Sequence, residues 1–450
     1  MSGMNHSDID LQRIARALES TPTAAYTAPH DYPHGAPIFQ HSPELERERV
    51  NSDVMRLYLH IPFCNYACSF CCYAKRVGVD RDRMQRYVKA LKKELEWVEP
   101  GTSLNQFFMG GGTPTALPAD LLDEVLEAIS SRMPYDGSGV HTVETSPESM
   151  TGDHLAVLQK HGVGRISMGI QSLKEDVLDA VKRDHGEQLA LDTCRQVIDA
   201  GLIMNIDLMY GLPGQRHEDF ARDFALVAAQ GVHAVTAYNL RLNEMTSIQR
   251  NLQAHERFDL PGLMAWREFV RDTAAQHGFT QTRWHTFKRL DSIAARHERL
   301  PVSGKDLAAY QLGVGMSARS SLGHTLYRNH SKLNTYMERV ESGASPVEEH
   351  IPLNRDDLKT QFIARTLGDG RGLSASAYQS VFGSSFYSDF EETLDRLQQA
   401  NLIFEDGDHI AMSATGQLVY DLVMLSFYPA HAKQWLNEHM QSYQLLARQA

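Results

Sequence analysis

Three closely spaced cysteines are the residues of this chain whose types and spacing are best suited to chemistry. Three residues separate Cys64 from Cys68, and two separate Cys68 from Cys71. Three thiolates on one short loop can hold three irons of a [4Fe–4S] cube and leave the fourth iron open to a substrate or a cofactor. Zinc is an alternative for soft thiolates, but zinc sites usually take four ligands from paired motifs, and no second Cys-x-x-Cys occurs. The spacing therefore favours an iron–sulfur centre.

The two remaining cysteines are expected not to bind the cluster. Cys72 directly follows Cys71, and adjacent side chains point in different directions, so one short loop is not expected to use both. Cys194 is isolated on a predicted helix, where a buried thiol behaves as a small hydrophobic side chain. The cysteines alone leave open a second use of the cluster, electron transfer with a fourth ligand elsewhere in the chain.

Further candidate binding residues lie on or at the ends of predicted strands. The glycines at 110–112 follow one strand, and glycine lets a backbone approach a ligand closely with its N–H groups exposed. Glu144 closes a second strand, and Gln171, which can both donate and accept hydrogen bonds, ends a third. Asp207 lies inside an apolar strand, where an unpaired charge is costly. We therefore expect Asp207 to have a partner, such as the hydroxyl pair of a ribose.

Composition limits the classes of protein and partner. The chain has 450 residues, 42% of them hydrophobic and 22% charged, with a net charge of −12. This acidic balance argues against a broad electrostatic interaction with nucleic acid or anionic lipid. No apolar run approaches the roughly 20 residues of a membrane span, and the N-terminus has no signal-peptide pattern. Four of the five cysteines lie within nine residues, which favours metal binding in a reducing cytoplasm over a disulfide framework.

The alternation of elements predicts how the candidate residues are positioned. Six predicted strands alternate with helices, and they cover residues 55–61, 106–109, 140–144, 165–169, 202–209 and 234–238. Strands separated by helices pair in parallel, and the ligand site of such a barrel lies at the carboxyl ends of its strands. The predicted fold class is α/β: a partial (β/α)6 barrel at 51–330, after an N-terminal strap at 1–50. Helices and a hairpin around an Asp-Gly turn predict a smaller, winged-helix-like domain at 331–450.

These motifs resemble those of a known family. The cysteine loop, with the aromatic Phe70 before its last cysteine, resembles the loop of radical S-adenosylmethionine (SAM) enzymes. The resemblance is greatest to the group that includes oxygen-independent coproporphyrinogen III oxidase. It runs from about residue 50 to about 430, and its landmarks occur in order at residues 60–64, 110–115, 170–172, 207–214 and 313–320.

The resemblance implies a cofactor set and a set of contacts. Cys64, Cys68 and Cys71 would bind a [4Fe–4S] cluster, whose open iron would be chelated by the amino and carboxylate groups of SAM. The family's SAM contacts fall on Tyr58, Phe70, Gly111, Gly112, Thr113, Glu144, Gln171, Arg183 and Asp207. A second SAM molecule is implied beside the first. Electron transfer to the first would produce a 5′-deoxyadenosyl radical that abstracts hydrogen. The implied partners are a small-molecule substrate and an electron donor such as flavodoxin or ferredoxin, and a monomer is expected.

The chain also departs from the porphyrin enzymes near the implied substrate site. Those enzymes have a fourth cysteine two positions after the third, where this chain has Tyr73. Arg241 and Arg319 stand where they have small or apolar residues, and either arginine could hold a carboxylate of the second SAM or of the substrate. His285 could transfer a proton, because the pKa of histidine lies near neutrality.

These departures led us to expect a particular branch of the family. The leading hypothesis is a class C radical SAM methylase that transfers a methyl or methylene group, or builds a cyclopropane, on an sp² carbon of a natural-product intermediate. The first alternative is coproporphyrinogen III dehydrogenase or a haem-processing relative. The second is a haem chaperone, for which Cys72 or His285 could bind the haem iron.

Overall fold

The structure, a computed structural model, describes residues 11–18, 40–41, 55–241, 246–248, 260–291 and 310–439. Helix α1 (Leu11–Ala17) and strand β1 (Gln40–His41) precede the main sheet. The residues 25–33, which suggested an extended strap, lie outside the described residues. Helix α1 was not predicted, because the N-terminal composition shows little apolar periodicity. Its Ile14 and Leu18 are buried against the C-terminal part of the chain.

The first half of the chain alternates strands and helices as predicted. Its strands are β2 (Met55–Ile61), β3 (Phe63–Cys64), β4 (Arg76–Val77), β5 (Leu104–Gly111), β6 (Thr142–Thr145), β7 (Arg165–Gln171), β8 (Ile203–Tyr210) and β9 (Ala234–Asn239). Its helices are α2 (Arg81–Leu95), α3 (Ala119–Arg132), α4 (Gly152–Lys160), α5 (Glu175–Ala180), α6 (Glu187–Asp199) and α7 (His217–Ala229). All six predicted strands are present, and each is displaced by no more than a few residues.

Local sequence explains where helix α2 begins and which face it buries. Asp80 caps it, since its side chain accepts a hydrogen bond from the Arg83 backbone N–H at 2.8 Å. Tyr87, Leu91 and Leu95, spaced four residues apart, are fully or almost fully buried against the sheet. The spacing of these apolar residues thus sets the face of α2 that packs against the sheet.

A large sheet is the centre of the fold. Strands β2, β5, β6, β7, β8 and β9 pair in parallel in this order. A seventh parallel strand, β12, pairs with the other side of β2. This strand was not predicted, because its short glycine-containing sequence resembles a loop. Antiparallel strands extend the sheet at both edges.

The elements that follow β9 complete this sheet. They are α8 (Leu260–Gln276), β10 (Thr280–Arg283), β11 (Thr286–Lys288), β12 (Tyr310–Val314), β13 (Arg319–Leu322), β14 (Thr325–Asn329), α9 (Leu333–Glu341) and β15 (Val347–Pro352). Strands β11 and β10 follow β9 at one edge, and β13, β14, β15 and β1 follow β12 at the other. The fold is thus α/β with a central parallel sheet, as predicted.

The C-terminal part is helical with a small sheet. Its elements are α10 (Arg355–Arg365), β16 (Leu373–Ser374), α11 (Ala375–Phe382), α12 (Phe386–Asp389), α13 (Glu391–Gln399), β17 (Ile403–Asp406), β18 (His409–Met412), α14 (Ala414–Leu418), α15 (Tyr420–Ser426) and α16 (Ala430–His439). The predicted hairpin is formed by β17 and β18. This part has its own hydrophobic core, separate from the core beneath the large sheet. The domain limits at residues 50 and 330 stay predictions.

Within the ranges that the structure describes, none of the helices has the length and apolar character needed to cross a membrane.

Candidate active site

The cysteine loop leaves the carboxyl end of β2 and is fixed at several points. Phe63 and Cys64 form strand β3, which pairs with β4, and the Arg76 N–H donates to the Pro62 carbonyl at 2.6 Å. Further along, the Ser69 N–H donates to the Val181 carbonyl at 2.9 Å. These bonds hold the loop over the end of the parallel sheet, where the family resemblance places the cluster.

The three thiols share a partly buried environment that Cys72 does not share. Cys64, Cys68 and Cys71 are half-buried, whereas Cys72 is exposed. The Thr113 hydroxyl donates to the Cys64 sulfur at 3.8 Å, and Arg183 Nη1 donates to the Cys68 sulfur at 3.4 Å. Burial raises the pKa of Cys64 to about 11, with smaller contributions from Cys71 and Cys68, against the Thr113 hydrogen bond, which lowers it. The thiols are thus neighbours in electrostatic contact, with donors aimed at two of them.

The three thiols are suited to a cluster, and they are not arranged around the position of a single metal ion. Among the side chains that the structure describes, no three His, Cys, Asp or Glu residues are gathered close enough to hold a single metal ion. Three thiols on one loop are the soft ligands that iron–sulfur clusters use.

The glycine triplet is required by close packing within the protein. A Cβ atom on Gly110 would lie 2.5 Å from Glu144 Oε2, and one on Gly112 would lie 2.6 Å from the Phe63 carbonyl oxygen. Gly111 has a φ of 108°, a conformation that side chains disfavour, and its Cβ would lie 2.5 Å from the His60 ring. The triplet therefore lets β5 lie against the cysteine loop and against Glu144 at the same time.

Two carboxylates lie together on the inner face of the sheet. Glu144 Oε2 accepts a hydrogen bond from the Gly111 N–H at 3.3 Å. Burial raises the pKa of Glu144 to about 7, and the charge of Asp207 adds to that rise. Burial likewise raises the pKa of Asp207 to about 6, against the favourable field of Arg165. Such a pair favours a cationic ligand, because a cation relieves the repulsion between them.

Asp207 already has partners within the protein. Asn205 Nδ2 donates to it at 2.8 Å, and the Ser167 hydroxyl lies 3.3 Å from each carboxylate oxygen. Neighbouring strand residues therefore supply hydrogen bonds to this charge that the apolar pattern did not reveal, and its contact with a ribose stays a prediction.

Gln171 and Arg183 lie on the same side of the sheet. Gln171 has a φ of 72°, a left-handed conformation at a register shift between β7 and β8. Such strain at a strand end is characteristic of functional sites. Arg183 donates to the Gly169 carbonyl through Nη2, as well as to Cys68 through Nη1. The structure thus places Arg183 between the end of β7 and the cysteine loop.

Tyr58 and Phe70 complete the group of predicted SAM contacts. Tyr58 stacks on Phe108, with ring centroids 6.2 Å apart, and its hydroxyl lies 3.3 Å from His60 Nδ1. Burial raises the pKa of Tyr58, and the nearby charge of Glu144 raises it further. Phe70 packs against a small apolar cluster that includes Val181 and Leu212. His60 was not predicted to be a site residue, although its position four residues before Cys64 was a usable signal.

Aromatic groups line the mouth of the site. Tyr238 stacks on His285, with ring centroids 5.0 Å apart and an interplanar angle of 29°. The side chain of Tyr238 is 43% exposed, yet burial and the charges of Asp207, Tyr73 and Glu144 all raise its pKa. Tyr238 therefore lies near the carboxylate pair while part of its ring is exposed. Tyr73, 68% exposed, lies at the same mouth.

The two arginines that differ from the residues of the porphyrin enzymes lie in different parts of the structure. Arg319, at the start of β13, is near enough for its charge to affect the pKa of Tyr58 and of Cys72, so it lies beside the cysteine loop. Arg241 follows β9, and its Nη2 donates to the Tyr420 hydroxyl at 3.5 Å. The structure thus brings Arg319 to the predicted site and directs Arg241 towards helix α15. Their roles in binding SAM or substrate stay predictions, as does proton transfer by His285.

Comparison with known proteins agrees with this geometry. The sequence matches the Radical SAM superfamily over residues 58–227. It is 27% identical to the oxygen-independent coproporphyrinogen III oxidase of Escherichia coli (strain K12), over 83% of this chain and 85% of that protein. It is also 27% identical to the heme chaperone HemW of Lactococcus lactis, over 80% of this chain and 93% of that protein. The solved structure of the Escherichia coli coproporphyrinogen III oxidase (HemN) has the same fold, with a TM-score of 0.75 and 24% identity over 86% of this chain and 94% of that one.

The fold, the three-thiol loop and the match over residues 58–227 identify a radical SAM domain in this chain. The relatives named above support a HemN-like radical SAM family for it. Proteins of the HemN type use a [4Fe–4S] cluster and SAM, so the predicted cofactors are confirmed at the level of the family. The three thiols and the carboxylate pair of Glu144 and Asp207 fit these groups, one as soft iron ligands and the other as a cation-binding surface.

The leading functional hypothesis was wrong. The relatives are named coproporphyrinogen III oxidase or heme chaperone, not methylase, and HemN itself shares the fold. The SAM-binding residues are common to both kinds of enzyme, so they could not separate them. The changes at Cys72, Tyr73 and the two arginines were given too much weight against the similarity of the whole chain to its relatives.

Proposed function

We propose that the protein is an oxidoreductase of the coproporphyrinogen III oxidase type, which oxidatively decarboxylates a propionate side chain of a porphyrinogen. A hydrogen atom is abstracted from the side chain, carbon dioxide is lost, and the remaining electron passes to a one-electron acceptor, which leaves a vinyl group. The relatives that support this proposal match along most of their length, including the oxidase of Pseudomonas aeruginosa, over 90% of this chain and 92% of that protein. A shared fold alone would not carry the proposal, since one fold hosts many functions. The composition of the mouth supplies the structural argument.

The observation that carries the proposal is the combination of flat aromatic surface and positive charge at the mouth. Tyr238 stacks on His285 and is partly exposed, and Tyr73 is near enough for its charge to affect the pKa of Tyr238. Arg319 adds a cation near the cysteine loop. A tetrapyrrole offers pyrrole rings for the aromatic faces and carboxylates for the guanidinium, since arginine binds carboxylates with two parallel hydrogen bonds.

The residues of this chain divide the work between holding the cofactors and holding the substrate. When bound, the cluster and SAM together supply a hydrogen-abstracting radical. Glu144 and Asp207 offer negative charge to the sulfonium group of SAM, and the hydrogen bonds from Asn205 and Gly111 fix the orientation of these carboxylates. Arg319 would orient the substrate carboxylate. Tyr238 would cover the reacting side chain and exclude water from it.

The proposed function also requires a second SAM molecule and an electron donor. A second SAM molecule would lie beside the first, towards Arg319. The electron would come from a flavodoxin or ferredoxin, for which Lys75 and Arg76 on the cysteine loop provide positive charge next to the cluster. A cytoplasmic monomer that binds neither nucleic acid nor membrane remains our expectation.

One experiment tests the proposed reaction. The cluster is reconstituted without oxygen, and the protein is incubated with SAM, reductant and coproporphyrinogen III. The proposal predicts a product that has lost carbon dioxide, together with 5′-deoxyadenosine. The Cys68→Ala variant should form neither, and Asn65→Ala, an exposed change in the same loop, should form both. SAM cleavage without any change in the porphyrinogen would contradict the proposed substrate but not the radical chemistry.

A haem chaperone is the second candidate, favoured by the match to HemW and by the exposed thiol of Cys72. A chaperone would bind haem and leave coproporphyrinogen III unchanged. Haem binding that depends on Cys72 or His285, with no decarboxylation in the assay above, would favour this candidate over the oxidase.

A further inference from the structure

Three partly buried polar side chains, those of Tyr66, Glu148 and Arg183, lie near Cys68. Of the three, only Arg183 is among the predicted SAM contacts. Arg183 Nη1 donates to the Cys68 sulfur at 3.4 Å, and Nη2 donates to the Gly169 carbonyl. Its third nitrogen, Nε, is buried and has no hydrogen-bond partner among the described residues. The two bonds of the guanidinium therefore do not fix its position completely.

Tyr66 and Glu148 form the other side of this set. The Arg183 guanidinium carbon lies 5.8 Å from the centre of the Tyr66 ring, within the range of a cation–π contact. Glu148 Oε1 accepts a hydrogen bond from the Ser146 hydroxyl at 2.5 Å. Its Oε2 and the Tyr66 hydroxyl are both buried and without hydrogen-bond partners in the part of the chain that the structure describes.

The electrostatics show that these groups face one another. The pKa of Tyr66 is raised chiefly by burial and also by the charge of Glu148, against the field of Arg183, which lowers it. Burial acts to lower the pKa of Arg183, but Tyr66, Cys68 and Glu148 together raise it above its ordinary value. Glu148, Tyr66, Arg183 and Cys68 thus form a continuous line from strand β6 to the cysteine loop.

We propose that Tyr66 and Glu148 are positioning residues that hold the Arg183 guanidinium against Cys68 and thereby raise the reduction potential of the cluster bound there. Glu148 would anchor the tyrosine by pairing the two groups that have no partner, the Tyr66 hydroxyl as donor and Glu148 Oε2 as acceptor, and the face of the ring would hold the guanidinium. This inference rests on the family's cluster at the three thiols. It does not depend on the tetrapyrrole substrate, so it stands or fails separately from the proposed reaction.

Coulomb's law gives the direction of the effect. Reduction adds one electron to the cluster, and a cation next to a ligand sulfur stabilises that added negative charge. Hydrogen bonds to cluster sulfurs and nearby charge are recognised determinants of cluster potential. If the guanidinium moves away from Cys68, reduction becomes harder and the potential falls. If the carboxylate of Glu148 is neutralised while the anchor remains, the potential rises.

The test is a potentiometric titration of the reconstituted, SAM-free protein, followed by the electron paramagnetic resonance of the reduced cluster. Tyr66→Leu removes the ring that holds the guanidinium. At a fixed solution potential it should lower the reduced-to-oxidised ratio about tenfold, which corresponds to about 59 mV for a one-electron couple. Tyr66→Phe keeps the ring and loses only its anchor, so its shift should have the same sign and be smaller. Asn65→Ala, an exposed neighbour, should leave the potential unchanged.

Glu148→Gln gives a shift of the opposite sign, since the amide can still accept a hydrogen bond from the Tyr66 hydroxyl but carries no charge. Iron content is measured for every variant, so that loss of the cluster is separated from a change in its potential. If Tyr66→Leu does not retain its cluster, Tyr66→Phe decides: a lowered potential supports the proposal, and the parental potential overturns it. Parental potentials in both tyrosine variants, with full iron content, would also overturn it.

Discussion

Glu144 lies close enough to Asp207 for the charge on Asp207 to raise the pKa of Glu144, which burial and this repulsion together bring to about 7. The two side chains come from β6 and β8, with β7 between them, so the parallel sheet itself creates the repulsion. The ligand-free protein is not stabilised by this arrangement. Binding of a cationic ligand such as SAM relieves the repulsion, because the ligand brings positive charge to the two carboxylates.

Replacing Glu144 by Gln should therefore stabilise the SAM-free protein in a pH-dependent way. The folded pKa of about 7 exceeds the ordinary value of 4.5, so the folded state holds the proton more tightly. The resulting stability is fully present below pH 4.5 and is lost as the pH rises through 7. The variant should thus unfold at nearly the parental temperature at low pH and at a higher temperature above pH 7. Thermal unfolding across this range checks it, with the exposed Glu96→Gln as control; an equal gain at every pH would count against the assigned pKa.

Single cysteine replacements should separate ligands from non-ligands. Cys64→Ala, Cys68→Ala and Cys71→Ala should each lose most of the bound iron and the charge-transfer absorbance, because a cube on two thiolates is no longer held. Cys72→Ala should keep both, since Cys72 is exposed whereas the other three thiols are half-buried. Iron and sulfide analysis after anaerobic reconstitution measures this. Iron lost on replacing Cys72, but retained on replacing one of the other three, would require a new ligand assignment.

The buried ion pair between Arg267 and Asp421 should be important for stability. It joins α8 to α15 through two hydrogen bonds of 2.9 and 2.7 Å, and the guanidinium lies 4.4 Å from the Tyr420 ring. Removing one partner leaves a buried, unpaired charge, so Asp421→Ala should lower the free energy of unfolding by about 3–5 kcal/mol. Denaturant unfolding measures the loss.

The matched control for that pair is Arg81 with Asp120, which is exposed on both sides. Arg81→Ala should leave the free energy of unfolding almost unchanged, because surface ion pairs are screened by water. Equal losses in Asp421→Ala and Arg81→Ala would show that the buried pair does not hold α8 against α15.

Arg319→Gln should weaken binding of the tetrapyrrole while leaving SAM cleavage possible. Losing a charge-assisted hydrogen bond to a carboxylate costs about 1.5–3 kcal/mol, or roughly a ten- to hundredfold increase in KM. We expect 5′-deoxyadenosine to form in excess over decarboxylated product, because a loosely held substrate is not placed for hydrogen abstraction. The steady-state KM and the ratio of the two products measure this. Arg319→Lys, which keeps the charge, should recover part of the loss, and parental values in the Gln variant would remove Arg319 from the substrate site.

The sequence allowed most of the barrel and its cofactor loop to be predicted, because those features are local. A run of β-branched and apolar residues such as 202–209 specifies a buried strand, and the spacing of Cys64, Cys68 and Cys71 is visible without a fold. Strand β12 was harder to predict, since its short, glycine-containing segment becomes extended only through its pairing with β2.

The parts of the site that depend on contacts between distant residues were not predictable in the same way. The partners of Asp207, the left-handed conformation of Gln171 and the line from Glu148 to Cys68 arise from packing between neighbouring strands and the loop. Arg241 illustrates the same limit, because the resemblance suggested a carboxylate ligand for it but could not reveal that its guanidinium also reaches the Tyr420 hydroxyl. Function was harder still, since the residues that bind SAM are shared by enzymes with different substrates.

The central claim is that this radical SAM site oxidatively decarboxylates a porphyrinogen propionate. The most direct measurement uses coproporphyrinogen III labelled with carbon-14 in its propionate carboxyl groups and follows labelled carbon dioxide and 5′-deoxyadenosine in the same anaerobic reaction. The account predicts that the two products appear together in the parent protein and that neither appears in Cys68→Ala. Formation of 5′-deoxyadenosine in the parent protein with no labelled carbon dioxide would contradict it.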